Sequence, residues 1–148
     1  MPMTLQELSD RQEIDDLLVR YCYAVDDRDW DAYASVFTPN AVIDYTETGG
    51  PRGGVREMAA FLEKALRKVK SSQHIVTTSL VRLAGDQASA RTICQCPMVL
   101  DMGAGKTQVI FQGLWYEDEL RRVGSGWRIT SRYERNSYDY NVPEGFAW

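Results

Sequence analysis

His74, in "SSQHIVTT", is the only histidine of the chain. Imidazole takes and gives a proton near neutrality, so a single copy raises the question of a partner. Its neighbours on the same side of a strand-like run are Val76, Thr78 and Leu80. On such a face a histidine is either a hydrogen-bonded core residue or a base looking into a pocket. The stretch "AVDDRDWD" supplies a partner. It sets Asp26 and Asp27 at the C-terminal end of an amphipathic helix, where the helix field disfavours a carboxylate by ~0.3–1 kcal/mol. Asp27 and Asp29 have an alternative use, starting or capping the next helix. Asp26 follows the apolar Val25 and is the one expected to turn inward. An aspartate accepting the Nδ1–H of His74 would fix the tautomer and leave Nε2 free to abstract a proton.

Other chemistry is excluded or weak. "DMGAGKT" has the look of a phosphate loop, but the spacing places Leu100 where the first glycine must stand, and no helix follows. Cys22, Cys94 and Cys96 are odd in number, and no Cys/His set has metal spacing, so they read as small buried apolar residues. No serine or cysteine stands in a nucleophile motif. The phenols are abundant, among them Tyr21, Tyr33 and Tyr45, and some are expected to line a cavity as donors. "YDY" near the end is expected to close over its mouth.

The elements that must carry these residues follow from periodicity. "TLQE" is a capping box opening a helix from Thr4 to about Val25, with Leu8, Ile14, Leu17, Leu18, Tyr21, Cys22 and Val25 on one face. A short helix capped by Asp29 follows, ending at "TPN", and "AVIDYTE" reads as a strand. Val55, Met58, Phe61, Leu62, Leu66 and Val69 mark a third helix ending in "RKVK". From "QHIVTTSLVRL" onward the pattern alternates, giving four long strands joined by tight turns. The expectation is one α+β domain over 1–148, an antiparallel sheet curling around helices into a cone with an open mouth.

Composition sets the boundaries. With 148 residues, 44% hydrophobic and 26% charged, the chain has the balance of an ordinary globular domain. A net charge of −4 with dispersed Lys and Arg argues against a nucleic-acid partner. The acidic opening stretch lacks an apolar segment, and no run reaches the ~20 residues of a membrane span, so a cytoplasmic protein is expected.

"RQEIDDLLVRYCYAVDDRDWDAYASVFTPNAVIDYTETGGPRGG" resembles the opening of the SnoaL-like branch of the NTF2-like superfamily, and "GWRITSR" resembles its last strand. The resemblance implies the cone fold and points toward cofactor-independent lyases such as scytalone dehydratase, bile-acid 7α-dehydratase and hexachlorocyclohexane dehydrochlorinase. It implies Asp26 and His74 as the catalytic pair and Tyr45 as the substrate-activating tyrosine. It further implies Tyr21, Gln112 and Arg132 as substrate contacts, with Arg135 as the competitor for the last. Val25 and Met98 stand where scytalone dehydratase has a tyrosine and a second histidine, which argues against scytalone itself. The function expected is elimination, or loss of a small carbonyl fragment such as formaldehyde, from a small hydrophobic substrate of aromatic type. The alternatives are an isomerase using the same pair and a non-catalytic binding or assembly module. Apolar residues at both parities of "QVIFQGLWY" suggest a homo-oligomer, and the related lyases favour a trimer over a dimer.

Overall fold

The capping box forms as the sequence implies: Thr4 Oγ1 accepts from the Glu7 amide at 3.1 Å, and Glu7 reaches back to the Thr4 amide at 2.7 Å. The computed structural model describes all 148 residues. Helix α1 runs Leu5–Asp26 and buries Ile14, Leu17, Leu18, Tyr21 and Val25. Asp29 caps α2 (Trp30–Ser35) through the Ala32 amide at 2.9 Å. The chain then enters β1 (Phe37–Asp44), so "TPN" lies inside a strand rather than ending a helix. A short β2 (Arg52–Gly53) and α3 (Val55–Ala65) follow. Helix α3 stops earlier than the apolar spacing suggests, and Val69 instead begins β3 (Val69–Ser72). The remaining strands are β4 (Ile75–Ala84), β5 (Gln87–Asp101), β6 (Thr107–Val123) and β7 (Gly126–Tyr140).

The strands form one sheet in the order β2-β1-β7-β6-β5-β3, with β4 also paired to β5. All pairs are antiparallel except β1 with β7. Strands this long twist, and the curved sheet wraps the helices to give the α+β cone. In β5 the burial alternates residue by residue, as a strand with one face on a core requires. The core joins α1 residues to Cys94, Cys96, Met98, Leu114, Tyr116 and Ile129 of the sheet.

Two irregularities of the sheet place the site. First, β3 and β4 lie end to end along the same edge of β5, separated by Gln73 and His74. Opposite the break stands Pro97, which has no N–H to return to the ladder. Second, β7 carries a bulge: Leu120 faces Ile129 while Glu119 faces Ser131, leaving Thr130 extra. The bulge shifts the inward parity by one residue, from Trp127 and Ile129 to Arg132 and Glu134. No helix is long and apolar enough to cross a membrane.

Candidate active site

Asp26 is the last residue of α1, and its carboxylate meets the break between β3 and β4. His74 therefore sits in the break itself rather than within a strand. Gln73 gives its amide to Pro97 O at 3.1 Å. The next amide, that of His74, points away from β5 by the alternation of an antiparallel ladder. Asp26 Oδ2 accepts it at 2.8 Å, and Asp26 Oδ1 lies 2.6 Å from His74 Nδ1 and accepts from Ser72 Oγ at 2.7 Å. Burial acts against this carboxylate, but the His74 ring, the His74 amide and Ser72 outweigh it and hold its pKa below the ordinary value. An ionised Asp26 assigns the hydrogen of His74 to Nδ1. Nε2 has no protein partner and is not sealed off.

The ring of His74 forms part of the wall of a cleft of about 530 Å³, counting its open mouth. Val25, Phe61, Leu62, Leu66, Met98 and Trp148 supply most of the apolar wall. The polar groups are few: Tyr21, Tyr45, Thr48, Gln112 and Glu134 beside His74. A mostly apolar hollow with a handful of convergent polar groups is the usual form of a small-molecule site. On its outer side, the Asp26–His74 pair also borders a shallow groove with Tyr23, Gln73 and Ile75.

Tyr21 and Tyr45 come together, with hydroxyl oxygens 2.6 Å apart, and Tyr33 adds a third phenol 3.0 Å from Tyr45. Burial raises the pKa of each, and the like-signed neighbours add to this for Tyr45, so they act as neutral donors. Gln112 lines the cleft, and its amide nitrogen donates to Thr48 O at 3.3 Å.

Arg132 is placed elsewhere, and the expectation of a substrate contact needs correction. Its side chain is wholly buried, bound to Asp118 by two hydrogen bonds of 2.7 Å, with its guanidinium 4.1 Å from the Tyr21 ring centre and 3.8 Å from that of Tyr116. It props the Tyr21 ring from behind and does not line the cleft. Arg135 is exposed and paired with Glu117 at 2.8 Å, so neither arginine enters. Tyr138 and Tyr140 of "YDY" stay exposed, and Trp148 takes the position at the mouth.

Glu134 and Thr48 are the cleft residues that sequence reasoning missed. Thr48 Oγ1 lies 2.6 Å from Glu134 Oε2. Burial raises the Glu134 carboxyl to about 7, with Thr48 and Arg132 acting in the opposite direction. The signal was parity: without the Thr130 bulge, Glu134 alternates to the outer face.

The SnoaL-like domain family matches residues 6–133. The chain is a SnoaL-like protein. Rv2910c of Mycobacterium tuberculosis, itself uncharacterized, is 40% identical over 136 residues, covering 92% of this chain and 91% of that one. Among solved structures, a Novosphingobium aromaticivorans protein proposed to be a scytalone dehydratase superposes with a TM-score of 0.82 at 18% identity, covering 99% of this chain and 100% of that one. The type-3 hexachlorocyclohexane dehydrochlorinase LinA of Novosphingobium barchaimii gives 0.79 at 21% identity, with 97% of each chain covered. At these identities the two structures share the fold of the SnoaL-like protein.

Proposed function

We propose that this SnoaL-like protein is a cofactor-independent lyase of small, mostly apolar, aromatic or alicyclic substrates, with Asp26 and His74 as its catalytic pair. The observation that carries the reading is the 2.6 Å contact of His74 Nδ1 with Asp26, which leaves Nε2 unpartnered beside an apolar cleft. A structural histidine with both nitrogens paired to protein groups would have argued for a binding module; here only Nδ1 is so paired. Asp26 fixes the tautomer and stabilises the imidazolium that forms when Nε2 removes a proton from carbon or from a phenol. The linked Tyr45 and Tyr21 hydroxyls supply one hydrogen to the oxygen on which negative charge develops. The leaving group then departs, and the proton on His74 returns to solvent by the outer groove.

The pair alone would serve isomerisation equally well. The names of the dehydratase and dehydrochlorinase neighbours support elimination. The test is absorbance screening of aromatic and alicyclic alcohols in deuterated buffer, with His74→Ala alongside. Product lacking the leaving group supports the lyase. Deuterium incorporation without loss of a group supports the isomerase, and near-normal turnover by H74A removes the mechanism.

We further propose a cytoplasmic homotrimer. Val109, Phe111, Tyr138 and Tyr140 on β6 and β7 are exposed apolar or aromatic surface of a kind that partner subunits cover. Light scattering on a sizing column tests the mass.

A further inference from the structure

We propose that Glu134 is the acid of this site: its carboxyl carries a proton and gives it to a departing oxygen, so that the group lost is a hydroxyl rather than a halide. The proposal rests on the elimination read for Asp26 and His74 and adds a second catalytic residue to it.

The hydrogen count around Thr48 supports a protonated Glu134. Thr48 Oγ1 lies 2.6 Å from Glu134 Oε2 and 3.1 Å from Tyr45 O. A threonine hydroxyl has one hydrogen to donate, and a carbonyl and a carboxylate only accept. Both contacts hold together when Glu134 carries the proton: Oε2–H donates to Thr48, and Thr48 donates to the Tyr45 carbonyl. The second oxygen, Oε1, has no protein partner, and the side chain borders the cleft that His74 also borders.

The surroundings agree. Tyr21 comes from α1, Tyr33 from α2, Tyr45 from the turn after β1, Cys94 and Cys96 from β5, and Tyr116 and Asp118 from β6. The charged groups facing Glu134 with attraction are His74 when protonated and Arg132. Arg132 spends Nε and Nη2 on Asp118, and its buried Nη1 makes no hydrogen bond to Glu134, so its attraction is left outweighed by burial. With burial dominating, the acid stays neutral up to about pH 7.

The step balances without a further reactant. His74 Nε2 takes the substrate C–H proton, its electron pair becomes the new double bond, and the C–O bond breaks with its electrons on oxygen. The departing oxygen draws the Oε2 hydrogen away from Thr48 and takes it, and water leaves. Thr48 then turns its hydrogen from the Tyr45 carbonyl to Oε2, where it stabilises the new carboxylate. His74 is left protonated and Glu134 ionised, and exchange with solvent restores both. Chloride departs as a stable anion and has no use for the proton; hydroxide is a poor leaving group without it.

The experiment uses the β-hydroxy and β-chloro ketones that both yield benzylideneacetone, followed by its absorbance. Glu134→Gln keeps the shape and removes the acidic proton. The expected result is a loss of at least ~100-fold on the hydroxy ketone, within the usual range for proton-transfer catalysis. The ratio of hydroxyl to chloride elimination is expected to fall at least ~30-fold. Equal losses on both ketones, or none on the hydroxy ketone, overturn the role of Glu134. His74→Ala is expected to abolish both reactions; unchanged rates in H74A sink the dyad, a failure distinct from that of Glu134. Infrared spectroscopy reads the proton independently of turnover. A protonated-carboxyl band absent from E134Q, and lost as pH rises through about 7, is expected. Absence of that band in the wild type at about pH 6 overturns the proposal.

Discussion

The fold contains one buried and one half-buried acid–base pair that solve opposite problems. Arg132 and Asp118 share two 2.7 Å bonds, and both side chains are 0% exposed. The guanidinium is stacked between Tyr21 and Tyr116. Asp26 and His74 meet at 2.6 Å with side chains 17% and 12% exposed. Asp26 uses both oxygens on Ser72 and His74, while the far nitrogen of His74 is left unused. Full burial and the stacking on two rings make the first pair a prop for the floor of the cleft, with Nη1 of Arg132 left without a partner. The second is closed on the acid side and open on the base side, and this asymmetry turns an ion pair into a proton acceptor.

Removing one partner of each pair breaks the comparison most sharply. Asp118→Ala strands a buried guanidinium and is expected to cost about 3–5 kcal/mol of stability in urea unfolding. His74→Ala should lose about 10²–10⁴-fold in kcat, which is ~3–5 kcal/mol of barrier, with a much smaller change in unfolding midpoint. A reversal of these outcomes would exchange the two roles.

Glu134 sharpens the contrast through pH. Its folded pKa of about 7 lies above the ordinary 4.5. Between these values the unfolded chain has lost the proton that the folded chain keeps, so stability falls as pH rises through that window. The total is on the order of 3 kcal/mol at 1.36 kcal/mol per pKa unit. Glu134→Gln is expected to abolish that slope between about pH 4.5 and 7 in thermal melts. The smallest effect belongs to Ser72→Ala. Asp26 has a lowered pKa, so its ionised form is present at neutral pH and lost as pH falls. Removing one donor, worth about 0.5–1.5 kcal/mol, should move the acid limb of the pH–rate profile upward and leave the neutral rate nearly unchanged.

Legibility in the sequence followed the range of the interactions. Local rules were enough for α1, its capping box, the Asp29 cap and the alternating strands. The Asp26–His74 pair was legible because a carboxylate at a helix C-terminus and a sole imidazole are each conspicuous, though their meeting depends on a strand break set by Pro97. The bulge at Thr130 was not legible, since two-residue alternation carries no mark of an extra residue. It decided that Arg132 and Glu134 point inward and Arg135 outward. It also hid the acid, because Glu134 in "RYERN" looks like one more solvated charge. Val69 was misread for a related reason: helical and strand spacing agree at a single apolar residue after a basic turn.

The chain of phenols has a consequence of its own. Three hydroxyls from Tyr33, Tyr45 and Tyr21 bring three hydrogens to two mutual contacts. One hydrogen is left over, and all three must be oriented in concert. Run one way, the surplus emerges at Tyr21 and greets an acceptor; run the other way, Tyr21 offers a lone pair to a donor. This wall of the hollow is thus amphoteric, its polarity chosen by the occupant, and can follow a reacting molecule from carbonyl to enol without moving a heavy atom.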